Sequence, residues 1–115
     1  MQILQMLRSS LEEEGYAIQA ASDGQMAIQI AMNSKPDLII MDVNMPMYNG
    51  FKTLQALRGM KETQLIPVIL LTGAQSDAVY PVVEAHQRVI FIKKPVDLEQ
   101  INSTVRRILN EDPKA

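Results

Sequence analysis

Three short apolar runs constrain the fold of this 115-residue chain more than any other feature of its sequence. They occupy residues 38–41, 68–71 and 89–92, and a polar or charged residue follows each run directly. A short run without alternation is typical of a strand that is buried on both faces. Apolar residues at spacings of three and four lie between the runs, which predicts amphipathic helices. The pattern therefore predicts an α/β domain, a parallel sheet with helices on both faces.

Five helices are predicted around these strands. They are expected at residues 2–14, from about 22 to 35, after Gly50, at about 75–85 and after Asp97. A capping box of Ser22 and Gln25 should open the second helix, and one of Asp97 and Gln100 the last. The expected buried residues are Ile3, Leu4, Leu7 and Leu11 in the first helix; Met26, Ala27, Ile30 and Ala31 in the second; Phe51, Leu54 and Leu57 in the third; and Leu98, Ile101, Val105 and Ile108 in the last.

Residues 16–20 alternate in polarity and predict a further short strand at a sheet edge. Gly15 precedes it and is expected to end the first helix.

Composition excludes several classes of function. Apolar residues make up 47% and charged residues 21%, with a net charge of −2, as in one ordinary globular domain. This charge offers no basic field for direct nucleic-acid binding. The chain has no cysteine, which excludes a disulfide framework and a thiol nucleophile. No apolar run approaches the roughly 20 residues of a membrane span, so a cytoplasmic protein is expected.

Three polar residues follow the apolar runs and form the candidate site. Asp42 and Thr72 come directly after the first two runs, and Lys94 lies just past the third. Ligands of an open parallel sheet bind at the carboxyl ends of its strands. A carboxylate nucleophile, a neutral donor and an ammonium group there would suit an aspartyl-phosphate site. Such residues also end many strands that have no chemical role.

Three segments resemble the receiver domains of two-component response regulators. Asp42, Val43, Asn44, Met45 and Pro46, with Asn49 and Gly50 beyond them, resemble the segment that accepts phosphate. Two further segments resemble the strand end with the switch threonine and the final strand of the family: Leu70–Gly73 and Phe91–Pro95. The resemblance implies a flavodoxin-like fold with strand order 2-1-3-4-5.

The resemblance also implies residue roles. Asp42 would accept a phosphoryl group from a histidine kinase or phosphotransfer protein, and the backbone carbonyl of Asn44 would help Asp42 to bind Mg²⁺. Lys94 would contact the phosphoryl group, and the hydroxyl of Thr72 would move to it. Phe91 would turn inward as the switch. Lys94 is expected to be the lysine of the site rather than its neighbour Lys93, and the bond to Pro95 is cis in many relatives.

The chain departs from the family pattern at its start. The first strand and the two acidic residues that end it are absent, so a receiver domain incomplete at its N-terminus is expected over residues 1–115. Residues 16–20 could instead close onto 38–41, or two chains could exchange elements as a dimer, but an upstream start is favoured. Without the acidic pair, weak Mg²⁺ binding is expected.

A signalling switch is the favoured function, with phosphate on Asp42 read by an output protein or domain. The alternative is an interaction module that does not depend on phosphate. An enzyme is not expected, because no glycine-rich phosphate loop, paired nucleophile and base, or cofactor motif is present.

Overall fold

Four helices and three strands form the described parts of the molecule. The computed structural model describes residues 2–42, 50–72 and 88–111, with the backbone alone at 2–4, 51 and 111. In chain order the elements are α1 (Gln2–Glu13), α2 (Gly24–Ser34), β1 (Ile39–Asp42), α3 (Gly50–Arg58), β2 (Val68–Thr72), β3 (Val89–Lys93) and α4 (Leu98–Glu111). The helix predicted at 75–85, the side chain of Phe51 and all of Asn44 lie outside the described residues.

The three strands form a parallel sheet in the order β1-β2-β3. Every residue of β2 is buried, as predicted. The flanking strands were also predicted to be buried on both faces, and this is wrong for most of their residues. Only Met41 of β1 and Ile92 of β3 are fully buried. Each of these strands has a described neighbour on one side only, so its side chains are covered from that side.

Two apolar layers cover the faces of the sheet. Leu7 and Leu11 of α1 and Ile101 and Val105 of α4 pack with alternate sheet residues on one face. Ala31 of α2 and Leu54 and Leu57 of α3 pack on the opposite face with the intervening sheet residues, Met41, Val68 and Leu70. The predicted helices on both faces are therefore confirmed.

Residues 16–20 do not form the predicted strand. They have no regular secondary structure and no ladder pairing, and β1 pairs only with β2 among the described residues. Ladder hydrogen bonds with a neighbour define a strand, and local alternation cannot supply that neighbour. Side-chain packing holds the segment instead, because Tyr16 and Ile18 contact the layer of α1 and α4.

The start of α2 differs from the prediction by one residue. Asp23 is the N-cap, and its carboxylate accepts a 2.9 Å hydrogen bond from the backbone N–H of Met26. The expected cap Ser22 instead bonds the Met26 sulfur. Met26 was expected to be buried but is 45% exposed, and Ile28 contacts the core instead. The side chain of Met26 therefore lies over the helix start rather than in the core.

The first and last helices have their predicted ends. Gly15, with a φ of 98°, follows α1 and donates a 3.0 Å bond to the carbonyl of Glu12. Asp97 opens α4, and its carboxylate accepts a 3.0 Å bond from the N–H of Glu99. No helix in the described ranges is long and apolar enough to cross a bilayer.

α1 and α4 pack side by side through polar contacts as well as through the core. Asn102 donates a 3.0 Å hydrogen bond to Ser10, and Arg106 pairs with Glu14 at 3.7 Å. The second contact lies four residues after the first on both sides, so the two helices run in the same direction.

Candidate functional site

Asp42 and Lys94 form an ion pair at the carboxyl end of the sheet. The Nζ of Lys94 donates a 2.5 Å hydrogen bond to Oδ2 of Asp42. The lysine side chain is 30% exposed and the aspartate 16%, so the pair is partly shielded but open to a reactant. Lys93 is the last residue of β3 and is exposed. The structure thus brings together Asp42 and Lys94, which the sequence predicted as site residues. It favours Lys94 over Lys93 as the lysine of the site.

The register of the strands explains why Asp42 and Lys94 are in contact. Asp42 is level with Leu71 on β2, and Leu71 is level with Ile92 on β3. Residues level with one another across a sheet point to the same face, as do alternate residues along a strand. Lys94, two residues beyond Ile92, therefore reaches across the end of β2 to Asp42. The Lys94–Pro95 bond is cis, as the resemblance implied.

Thr72 lies beside this pair at the end of β2. Its carbonyl accepts a 2.7 Å hydrogen bond from the backbone N–H of Lys94, which ties the two residues together through their main chains. Its side chain is only 3% exposed, and its hydroxyl has no hydrogen-bond partner among the described residues. A buried hydroxyl without a partner costs about 1–3 kcal/mol, so Thr72 favours any acceptor that enters the site.

Phe91 lies on the same face of the sheet as Thr72. It is level with Leu70, two residues before Thr72, and packs half-buried against the layer of α2 and α3. The structure thus brings the side chains of Asp42 and Lys94 together, joins Thr72 to Lys94 through the main chain, and places Phe91 on the face of Thr72.

The described residues do not form a metal site. No cluster of three acidic or histidine residues occurs in the described ranges. Asp42 is the carboxylate at the site, and the ammonium of Lys94 already occupies one of its oxygens. Asp23 caps α2, and the side chains of residues 12–14 are exposed at the end of α1. Mg²⁺ usually takes one or two protein carboxylates and completes its octahedron with water, so a single described carboxylate that already bonds Lys94 is a weak set of ligands for it.

An arginine at the opposite end of the sheet was not anticipated from the sequence. Arg58 donates hydrogen bonds to the carbonyls of Thr63 at 3.4 Å and Arg88 at 3.2 Å. Burial, together with the charge of Arg88, holds the pKa of Arg58 below its ordinary value. The contact joins residues 30 apart in the chain, so no local sequence signal reveals it.

Comparison with known proteins adds independent information. The family model for the response regulator receiver domain matches residues 1–106. Protein PilH of Pseudomonas aeruginosa is 32% identical over 105 residues, covering 90% of this chain and 85% of PilH. PhoP of Bacillus subtilis, a transcriptional regulatory protein of alkaline phosphatase synthesis, is 31% identical; the match covers 93% of this chain and 44% of PhoP.

Solved structures agree with this result. The signal receiver domain of a signal transduction histidine kinase from Syntrophus aciditrophicus superposes with a TM-score of 0.86 at 32% identity. The match covers 99% of this chain and 86% of that domain. The backbone described above is thus shared with this receiver domain almost throughout.

Proposed function

Because this chain belongs to the response regulator receiver domain family of two-component signalling, we propose that Asp42 accepts a phosphoryl group from a partner's phosphohistidine. The partner is a histidine kinase or a phosphotransfer protein, and an output protein or domain reads the result in the cytoplasm.

The transfer is a displacement at phosphorus. A carboxylate oxygen of Asp42 forms the new P–O bond while the P–N bond of the donor breaks, and the departing imidazole takes up a proton. The acyl phosphate carries more negative charge than the carboxylate it replaces. Lys94 already bonds Asp42. Its ammonium group balances the added charge without a large rearrangement of the backbone.

The buried hydroxyl of Thr72 is the observation that most supports this function. The hydroxyl has no described partner before phosphorylation, and a phosphoryl oxygen on Asp42 would provide an acceptor. A contact shifts an equilibrium between two states only if it is more favourable in one state than in the other. A new Thr72–phosphoryl hydrogen bond meets this condition and is the proposed driving force of the switch. Phe91 then adjusts on the same face of the sheet.

Receiver domains typically bind Mg²⁺ in their active sites. The described residues supply too few oxygen ligands for that ion. The proposed transfer therefore uses only the side chains of Asp42, Lys94 and Thr72. We accordingly expect Mg²⁺ to bind weakly and phosphorylation to be slow.

Intact mass spectrometry after incubation with phosphoramidate, a small donor that has a P–N bond, tests the proposal. One phosphoryl adduct is expected on the wild-type chain and on Asp37→Asn, a control at the opposite end of β1, and none on Asp42→Asn. An adduct that survives in Asp42→Asn would assign the chemistry to another residue. The absence of any adduct on the wild-type chain would reject phosphorylation and leave the phosphate-independent interaction module.

A further inference from the structure

The sulfur of Met26 lies at the start of α2 and has two hydrogen-bond donors on it. The backbone N–H of Ser22 donates a 3.3 Å hydrogen bond to this sulfur, and the Ser22 hydroxyl donates a longer one of 3.7 Å. Met26 is 45% exposed. Met6 and Met32 are exposed to a similar degree, at 52% and 40%, but their sulfurs accept no hydrogen bond from the described residues. Among these three exposed methionines, the polar surroundings are therefore particular to Met26.

Met26 occupies a position that usually carries an oxygen acceptor. It is the third residue of α2 after the N-cap Asp23, whose carboxylate accepts its N–H at 2.9 Å. In a complete capping box, an oxygen of Glu or Gln at this third position bonds back to an N–H at the cap. Here the sulfur takes the place of that oxygen and bonds the N–H of Ser22, one residue before the cap. A thioether is a weak acceptor, so this half of the box is weakly formed.

We propose that Met26 is a redox modification site, at which oxidation to the sulfoxide by a hydroperoxide strengthens the start of α2. The sulfur attacks one oxygen of the peroxide, so that an S–O bond forms and the O–O bond breaks. The sulfur gives two electrons to the hydroperoxide, and the proton of the attacked oxygen moves to the departing oxygen, which leaves as water or an alcohol. The sulfoxide oxygen then accepts the hydrogen bonds of Ser22, as an oxygen of Glu or Gln does in a capping box.

The position of Met26 makes its oxidation favourable for the fold. Sulfoxide formation usually disrupts packing, because it puts a polar group in place of an apolar one. On α2, however, Ile28 and Ala31 pack against the sheet, and Met26 is outside that layer. The partial negative charge of the sulfoxide oxygen also lies at the N-terminus of the helix, where the helix dipole is positive. Met41 is the opposite case, because it is 3% exposed and belongs to the core.

A competition between oxidised and unoxidised molecules tests this effect on the intact chain. Hydrogen peroxide is applied so lightly that few molecules carry more than one sulfoxide. The mixture is held in urea at which about three quarters of the molecules are unfolded, and a short pulse of protease removes those molecules. Peptide mass mapping compares each sulfoxide before and after the pulse. The Met26 sulfoxide should be enriched at least about 1.5-fold among the survivors, because it gains better hydrogen bonds, and those of Met6 and Met32 should not be enriched.

Glutamine variants test the same acceptor without peroxide. Glutamine carries an amide oxygen near the end of its side chain, whereas leucine is apolar, and the two have similar helix propensities. The Tm of Met26→Gln should exceed that of Met26→Leu by about 2–4 °C, because only the former accepts a strong hydrogen bond from Ser22. Met32 gives the matched pair, because it is exposed on the same helix but far from its start. Met32→Gln should be no more stable than Met32→Leu.

The following results would overturn the proposal. The Met26 sulfoxide could survive the protease pulse no better than that of Met32, or Met26→Gln could be no more stable than Met26→Leu. An equal gain for glutamine at Met32 would also overturn it, because the effect would then be general to polar side chains on α2. None of these readouts involves phosphate, so they succeed or fail independently of Asp42 chemistry.

Discussion

Replacement of Thr72 by valine should stabilise the protein before phosphorylation. The substitution keeps the shape of a side chain that is 3% exposed and removes a hydroxyl with no described hydrogen-bond partner. An unsatisfied buried polar group costs about 1–3 kcal/mol, so we expect the free energy of unfolding to rise by about 1–2 kcal/mol. The bond from the N–H of Lys94 to the carbonyl of Thr72 remains, because it uses only main-chain atoms.

The expected change is large enough to measure by calorimetry. At about 2.1 cal/mol/K per residue, unfolding of 115 residues has an entropy of about 240 cal/mol/K. An increase of 1–2 kcal/mol then corresponds to a rise in Tm of about 4–8 °C. Phosphoramidate treatment should raise the Tm of the wild-type chain, because Thr72 gains an acceptor, but should raise that of Thr72→Val less.

Thr63 provides a matched control with the opposite sign. It is also fully buried, but its hydroxyl donates a 2.6 Å hydrogen bond to the carbonyl of Leu57. Thr63→Val removes this bond and leaves the carbonyl only the longer 3.4 Å bond from the N–H of Met60, so it should lower the Tm by about 4–8 °C. A fall in Tm for Thr72→Val of similar size to that for Thr63→Val would show that the Thr72 hydroxyl is bonded in the resting state. The reasoning about the switch would then be refuted.

Two further predictions concern the helix cap and the metal. Asp23→Ala should destabilise the chain by about 1 kcal/mol in urea unfolding, whereas Ser22→Ala should change it by less than about 0.5 kcal/mol; equal effects would reject Asp23 as the cap. Isothermal titration with Mg²⁺ should show no saturation below about 10 mM, because the described site supplies one carboxylate that already bonds Lys94. A submillimolar site that is lost in Asp42→Asn would contradict this.

The sequence predicted most completely those features that depend on local pattern. The apolar stripe of α4 predicted Ile101 and Val105 as core residues, and both are buried. The run at 68–71 predicted a strand buried on both faces, because a central strand imposes apolar residues at every position. The meeting of Asp42 with Lys94 followed from the rule that the ends of parallel strands share one edge.

Features that depend on distant partners were not predictable in the same way. Residues 16–20 have the alternation of a strand, but pairing needs a neighbour that local sequence does not reveal. The capping-box pattern predicted Ser22 as the cap of α2, but the adjacent Asp23 is also of a preferred cap type and caps the helix. Whether the hydroxyl of Thr72 has a hydrogen-bond partner among the described residues depends on what surrounds the end of β2 in three dimensions.

The pairing of α1 with α4 bears on how the chain folds. The hydrogen bond between Ser10 and Asn102 spans 92 residues, so the layer over one face of the sheet closes only after α4 is available. Contacts of such long range slow folding, because loop closure must precede any gain from packing. During synthesis, the apolar stripe of α1 leaves the ribosome before α4 and remains without its partner helix until α4 has emerged. The interval between the two events is when this polypeptide is most exposed to aggregation and to chaperones.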